Sequence, residues 1–491
     1  MLAVKKDAGA FLYCQVIELI NQMVESGTLK AGDKLPSLRK LSARLGVSLP
    51  VVKQAYLALV DQGKVSARPQ SGYYIRPNLC KGLLSLKPRE RRFEAVSLSC
   101  RSLIEKVYQT EHMAGLMHLG MSNPTRARPA TQMLNRSLRR AMSRAGDDAT
   151  DYAPINGDLE LRRQLALCYL DQGLNVDPDE IIITNGAQEA LSLALQAVAA
   201  PGDVIAVESP TFFGILELIE SLGMRAVEIE TCHEDGLWLE DLRRALDRVP
   251  IRACLFSTAI NNPLGSLMPE ATRSDMVALL EERDIPLIED DVYTELCYQE
   301  QRPRIARSYA KKGRVLTCSS FSKTASPGYR VGWILPGVFR ENVARFKRAH
   351  SASSPYLLQL ALTEFIRYGE YETHLKALRK QLIVNMERMR GLISKHFPEQ
   401  TRVSSPKGGA MLWLELPEVI DSVDLFHAAL EIGVGIAPGS IFSSCNKFKN
   451  FIRLSYGRPW TPELVEAIGR LGKFIAQKAS GESFNCGLSE L

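Results

Sequence analysis

Three observations predict that this 491-residue chain is multidomain: a small winged helix-turn-helix head followed by a large α/β body on a mostly parallel central sheet. The first is length, since a single hydrophobic core stops growing well short of this size and longer chains split into domains. The second is charge. Residues 1–76 hold 11 Lys and Arg against 5 Asp and Glu, which is the whole formal excess of +6, while the remaining 50 basic and 50 acidic residues cancel. The third is rhythm: beyond residue 95, short β-branched or apolar runs alternate with longer amphipathic stretches, the signature of parallel strands joined by crossover helices.

In the head, Tyr13, Val16, Ile17, Ile20, Met23 and Val24 fall on one helical stripe that stops near Gly27. Ala31 to Ser37 is turn chemistry, and Ser37 can cap a short helix that turns Leu38, Leu41 and Leu45 inward. Gly46 breaks that helix, Ser48 caps the next, and Pro50 sits in its first turn, where a missing N–H costs little. Val51, Val52, Ala55, Tyr56 and Leu59 give this helix its buried face. Gly63 ends it, and Val65 to Ile75 reads as two strands around Pro69-Gln70-Ser71-Gly72, a wing. Two short helices joined at Gly46 make a helix-turn-helix, which lays its second helix in the major groove of double-stranded DNA. The residues placed to contact DNA are Arg39, Arg44, Ser48, Lys53 and Arg68, with Gln70, Ser71 and Gly72 at the wing tip. A basic head on a neutral body suits a polyanionic partner; the alternative is a three-helix protein–protein module.

Residues 77–94 show no period and contain Pro77, Asn78, Gly82, Ser85, Pro88 and the basic run from Lys87 to Arg92. They read as a flexible linker, spanning roughly 20–25 Å for its 18 residues. Residues 479–491 read as a disordered tail, which leaves 95–478 as the body. Several classes are excluded. The longest uncharged apolar stretch, Ala190 to Gly202, is too short to cross a bilayer, and no apolar segment follows Lys5 and Lys6 as a signal peptide requires. Ten cysteines without a CxxC pair read as reduced thiols of a cytoplasmic protein. The histidines show no metal-ligand spacing, so no metal is expected.

In a doubly wound sheet, ligands sit beyond the carboxyl ends of the strands. The runs Ile181–Thr184, Val204–Glu208, Ala253–Ser257, Pro286–Glu289 and Val315–Ser319 lead in turn to Asn185-Gly186-Ala187-Gln188, to Ser209-Pro210-Thr211-Phe212, to Asn261-Asn262-Pro263-Leu264-Gly265, to Asp290-Asp291-Val292-Tyr293, and to Ser320-Phe321-Ser322-Lys323 with Arg330 beyond. Together these residues meet the chemical needs of pyridoxal 5′-phosphate. Its aldehyde condenses with an amine, which Lys323 supplies. Its ring nitrogen wants a carboxylate to keep it protonated, and Asp290 fits, with Asp291 the rival. The phenolate oxygen wants donors, which Asn262 and Tyr293 offer. Phe212 can stack on the ring, with Phe213 the competitor. The phosphate wants amides, hydroxyls and a fixed cation, from Gly186, Ala187, Gln188, Ser320, Ser322 and Arg330.

The head resembles the GntR-type winged helix, through Gly32-Asp33-Lys34-Leu35-Pro36-Ser37-Leu38-Arg39, Ala55-Tyr56-Leu57-Ala58-Leu59 and Arg68-Pro69-Gln70-Ser71-Gly72-Tyr73. It departs at Ser48-Leu49-Pro50-Val51, where that family commonly has Ser-Arg-x-Thr, so DNA contact falls to the other cations. The body resembles the class I aminotransferases of fold type I. The motifs are Tyr152-Ala153-Pro154-Ile155-Asn156-Gly157-Asp158-Leu159-Glu160-Leu161-Arg162, the Asn262-Pro263-x-Gly265 turn, Asp290-x-x-Tyr293, and Ser320-Phe321-Ser322-Lys323 through Pro327-Gly328-Tyr329-Arg330-Val331-Gly332. That likeness implies a smaller C-terminal α/β subdomain. It also implies that Tyr152 reaches the phosphate at the partner subunit's site, hence a homodimer, and that Arg453 clamps a ligand's α-carboxylate.

The fusion of the two resembles the MocR subgroup of GntR regulators. The resemblance implies a pyridoxal-phosphate-dependent transcription regulator that binds an operator through the head and senses a small amine or amino acid through the body. Two alternatives remain open: an active aminotransferase with an accessory DNA-binding domain, and a dimerisation scaffold with a vestigial site.

Overall fold

The computed structural model describes residues 12–25, 28–29, 32–61, 65–68, 72–75, 93, 95, 101–111, 113–170, 172–233, 236–299 and 301–481. The chain divides between Leu83 and Leu84 into two units, each taken by itself below.

The first unit holds three helices among the described residues, α1 (Leu12–Glu25), α2 (Leu38–Leu45) and α3 (Leu49–Asp61). An antiparallel hairpin follows, β1 (Val65–Arg68) and β2 (Gly72–Ile75), with Val65 opposite Ile75 and Arg68 opposite Gly72. The local causes are legible in the residues. Ser37 Oγ accepts the Lys40 N–H at 3.3 Å and caps α2, and Gly46 closes it in the left-handed region at φ +65°, which glycine adopts without a Cβ penalty. The Ser48 carbonyl accepts the Val51 and Val52 N–H groups at 3.1 and 3.4 Å and so starts α3. Val16, Ile20, Leu35, Leu41, Val52, Ala55, Tyr56, Leu59, Val65 and Ile75 form the core. The buried Tyr56 donates its hydroxyl to the Pro36 carbonyl at 2.8 Å, which ties α3 to the turn before α2. The first helix ends at Glu25, and Gly27 lies outside the described residues.

The second unit is built, among the described residues, on fourteen strands: β3 (Met117–His118), β4 (Ile182–Thr184), β5 (Val204–Ser209), β6 (Arg225–Cys232), β7 (Gly236–Leu237), β8 (Ile251–Phe256), β9 (Leu287–Asp290), β10 (Val315–Ser320), β11 (Gly332–Leu335), β12 (Arg402–Val403), β13 (Met411–Glu415), β14 (Val434–Gly435), β15 (Ala437–Pro438) and β16 (Phe451–Ser455). Eight of them form the central sheet in the order β4-β11-β10-β9-β8-β5-β6-β7. Its middle, from β10 to β6, is parallel, whereas β11 runs antiparallel to both of its neighbours. One face packs helices Ala187–Val198, Phe213–Ser221 and Arg340–His350, and the other packs Leu239–Arg248 and Glu270–Glu282. Both faces are therefore apolar, which is why the central strands read as continuous runs. A smaller antiparallel sheet, β12-β13-β16-β15, forms the C-terminal part.

Several boundaries shift from the sequence reading. Asp290 closes β9 and Ser320 closes β10 rather than following them. Phe93, assigned to the linker, packs with Ala95 against the core around Val204 and Phe256, so the body's core reaches back past residue 95; the rest of 77–94 lies outside the described residues. The tail assignment from 479 is corrected. Helix Pro462–Ser480 runs through Ala479 and Ser480, and Gly481 caps it at φ +78°, because Phe474 and Ile475 still bury its inner face there. Residues 482–491 lie outside the described residues. Among the described residues, no helix is long and apolar enough to cross a membrane.

Candidate active site and DNA-facing surface

Lys323 lies on the loop between β10 and β11. These strands pair antiparallel with Ser320 opposite Gly332, so both ends of the loop are fixed by the sheet. Lys323 Nζ donates to the Ser122 carbonyl at 2.8 Å and stands 5.8 Å from the centre of the Tyr293 ring. Tyr293 in turn donates its hydroxyl to Ser122 Oγ at 3.2 Å.

Three successive carboxylates precede Tyr293, Glu289 and Asp290 at the end of β9 and Asp291 just beyond it, and their partners separate them. Glu289 accepts the Ala306 N–H at 2.7 Å and the Thr317 hydroxyl at 3.1 Å, with Thr258 as a further donor. Asp291 accepts from the Thr294 hydroxyl. Asp290 Oδ1 is buried and has no hydrogen-bond partner. Burial pushes the Asp290 carboxyl up to about 6, against the pull of the Val292 N–H and of Lys323. A buried acceptor left unpaired is costly in a closed fold, so this oxygen asks for a donor from outside the chain.

Gly186 sits at φ +79° as the N-cap of helix Ala187–Val198. The first amides of a helix have no partner within it and point outward. Arg330 lies directly against this turn: a Cβ on Gly186 would be 2.5 Å from Arg330 Nη2. Arg330 donates to the Asn185 carbonyl at 3.0 Å and to Ser322 Oγ at 3.4 Å, and the Ser322 N–H reaches Ser320 Oγ at 3.4 Å. Gly186, Ser320, Ser322 and Arg330 are thus brought together into a cationic cup, with Ala187 and Gln188 contributing helix-start amides. The Gln188 side chain is turned to the Gly214 carbonyl at 3.3 Å. Phe212, the N-cap of helix Phe213–Ser221, is partly buried with its ring 4.7 Å from that of Phe213.

Arg453 is 1% exposed. Its Nε and Nη2 donate to the Gly120 carbonyl at 3.2 and 2.7 Å, and its Nη1 donates to Asn262 Oδ1 at 2.8 Å. The rings of Phe442 and Phe213 lie 4.8 and 5.6 Å from its guanidinium carbon. Burial pulls its pKa down to about 10, and its hydrogen-bond partners here are neutral oxygens. A buried guanidinium held by carbonyls and aromatic faces suits a carboxylate that arrives with a ligand. Gly120, Ser122, Phe442 and the buried Phe213 as a wall of this pocket were not read from the sequence. Gly120 and Ser122 meet Arg453 and Lys323 through backbone carbonyls, which residue identity does not announce. Tyr152 is 85% exposed.

In the first unit, Arg39, Arg44, Ser48 and Lys53 are exposed. Gly72 opens β2 at φ +109° beside Lys34. The Arg68 side chain, Gln70 and Ser71 lie outside the described residues. Among the described residues, no cluster of His, Cys, Asp and Glu could hold a metal ion.

Comparison with known proteins agrees with both halves. Residues 115–471 match the family Aminotransferase class I and II, and residues 12–75 match Bacterial regulatory proteins, gntR family. The chain is 36% identical over 470 residues to the uncharacterized HTH-type transcriptional regulator YdcR of Escherichia coli, covering 95% of this chain and 99% of YdcR. It is 27% identical to the probable rhizopine catabolism regulatory protein MocR of Rhizobium meliloti, covering 89% of this chain and 88% of that one. Among solved structures, the α-aminoadipate aminotransferase LysN of Thermus thermophilus, complexed with N-(5′-phosphopyridoxyl)-L-leucine, matches with TM-score 0.70 and 26% identity, over 78% of this chain and 100% of LysN. A GntR-type head joined to a fold-type-I body, with relatives of the same two-part layout along their whole length, places the chain in the MocR-type group of HTH-type transcriptional regulators, whose large domain is a class I and II aminotransferase domain.

Proposed function

We propose that the body binds pyridoxal 5′-phosphate on Lys323 and that a small amino acid or amine engaging this site changes how the head binds operator DNA. The observation that carries the reading is the unpaired, buried Asp290 Oδ1, set at the end of β9 where the Lys323 charge reaches it. When bound, the cofactor supplies an electron-accepting ring and an aldehyde that condenses with amines. Lys323 offers the amine. Asp290 holds a proton on the ring nitrogen, and Asn262 and Tyr293 donate toward the ring oxygen. Phe212 gives the ring a flat partner. The amides of Gly186, Ala187 and Gln188, the hydroxyls of Ser320 and Ser322, and Arg330 hold the phosphate. Arg453 clamps the effector's carboxylate. Tyr152, exposed in the single chain, reaches the partner subunit's site in a homodimer. The exposed Arg39, Arg44, Ser48 and Lys53, with the wing, face the DNA.

Coupling is then a matter of linkage: an effector shifts operator affinity by the difference in its affinity for the arrangements that bind DNA well and badly. The test compares the visible absorbance of wild type with that of Lys323→Ala, and measures affinity for DNA from upstream of the chain's own gene with and without pyridoxal phosphate and amino acids. Absorbance lost in Lys323→Ala and DNA affinity altered by an amino acid are expected. A protein that stays colourless when given the cofactor, or DNA affinity indifferent to every addition, refutes the reading. Lys323 is also the amine placed to move a proton in transamination; turnover of an amino acid with a 2-oxo acid would instead favour an aminotransferase with an accessory head.

A further inference from the structure

A buried carboxylate outside the site gathers an unusually full set of donors. Glu228 stands in the middle of β6, with 2% of its side chain exposed. It accepts the Ser209 hydroxyl at 2.6 Å, the Ser443 hydroxyl at 2.7 Å, and the Ser444 N–H and hydroxyl at 2.6 and 3.0 Å. Lys447 Nζ pairs with it at 3.0 Å and with Glu230 at 2.9 Å. These bonds hold the Glu228 carboxyl below its ordinary range in spite of burial, with the Lys447 charge the largest favourable cause. Burying a carboxylate is unfavourable unless every oxygen is met, and a shell this complete marks a joint the fold must keep fixed.

The joint connects two segments that wall the Arg453 pocket. One is 209–213, from the last residue of β5 to the first of helix Phe213–Ser221. The other is 439–447, which lies before β16. Phe442, on the second, stands 4.8 Å from the Arg453 guanidinium carbon. Its carbonyl accepts the Thr211 N–H at 3.0 Å, and its ring meets that of Phe213 at 5.5 Å. Glu228 therefore pins the aromatic walls of the pocket from behind.

We propose that Glu228 and Lys447 are positioning residues that set the affinity of the Arg453 pocket for a ligand carboxylate by clasping 439–447 to the central sheet. The proposal rests on Arg453 being the carboxylate site. Removing the Lys447 charge frees the 443–447 turn, and Phe442 with it. Misplacing such walls by about 1 Å is enough to weaken binding by roughly 10- to 100-fold.

The test uses the full chain loaded with pyridoxal phosphate. The variants are Lys447→Met, Lys447→Arg and Glu228→Gln; Lys447 is partly exposed, and the Arg variant keeps the charge that the buried Glu228 meets. The probe is whichever of L-alanine, L-leucine and L-glutamate binds wild type most tightly by calorimetry. Lys447→Met and Glu228→Gln are expected to weaken that binding roughly 10-fold or more. They should also speed amide hydrogen exchange in both 209–213 and 439–447, while visible absorbance shows that the cofactor stays bound. Lys447→Arg should restore affinity and exchange toward wild type. The proposal is overturned if Lys447→Met binds the probe as wild type does, if exchange rises without loss of affinity, if Lys447→Arg is as weak as Lys447→Met, or if wild type binds none of the three. A colourless wild type is read separately, from absorbance, and strikes the cofactor assignment rather than the clasp.

Discussion

Replacing Asp290 with Asn separates the cost of this carboxylate to the empty fold from its use to the cofactor. In the cofactor-free chain, burial raises the Asp290 pKa from 3.8 to about 6, which disfavours the ionised form by about 3 kcal/mol above pH 6. A group whose folded pKa is raised holds its proton more tightly in the folded state, so wild-type stability falls as pH rises through this interval. Asn carries no charge but brings an amide donor without a partner, costing about 1 kcal/mol. Asp290→Asn should therefore stabilise the cofactor-free body by about 2 kcal/mol at pH 8 and by roughly nothing near pH 4.5, where the wild-type penalty has shrunk to about 1 kcal/mol. With cofactor present the order reverses, because the ring nitrogen loses its anion, and cofactor affinity should fall about 10-fold or more. Urea unfolding of cofactor-free protein at the two pH values measures the first part. All four tryptophans, Trp238, Trp333, Trp413 and Trp460, lie in the body, so their emission follows that unit alone. A cofactor-free variant less stable than wild type at pH 8, or a difference that does not change with pH, refutes the account of Asp290 as a carboxylate awaiting a donor.

Gly186→Ala places a methyl 2.5 Å from Arg330 Nη2 at a φ of +79°, so either Arg330 or the turn must move. Absorbance titration should show cofactor affinity reduced by about 10-fold or more, and wild-type affinity would dismiss the cup as the phosphate site. In the head, Arg39→Ala, Arg44→Ala and Lys53→Ala should each lower the slope of log affinity against log salt for DNA by about 1. All three side chains are exposed, so the fold should survive, and three unchanged slopes would remove that surface from the interface.

The parts of this fold that repeat a simple physical pattern were legible in residue order. The central strands β5, β8, β9 and β10 are buried on both faces and announce themselves as apolar runs. The helix-turn-helix is announced by Ser37 and Gly46, whose backbone geometry few other residues supply as readily. Strand β6 was not singled out, because Glu228 and Glu230 interrupt its apolar run; apart from Ser209, the partners named for them come from residues 443–447, more than 200 positions away. The same holds at the site. Lys323, Asp290 and Arg453 are side chains with one distinctive chemistry each. Ser122 and Gly120 meet Lys323 and Arg453 through main-chain oxygens, which residue identity does not announce; what requires glycine at 120 is the Ile436 backbone, 2.7 Å from where a Cβ would sit. In the sequence Asp291 stands as a rival to Asp290, whereas in the fold the Thr294 hydroxyl already occupies Asp291.

The loop that bears Lys323 is clamped like a drawer handle, with a screw at each end. Ser320 and Gly332 face one another across neighbouring strands, and Arg330, near the far end, is fastened to Asn185. A ligand that takes the amine's place can swing a side chain but has little purchase on the frame that carries it. On the proposed reading, its arrival is carried by what the newcomer itself presses against, the aromatic walls beside Arg453, and not by the loop that bears the amine.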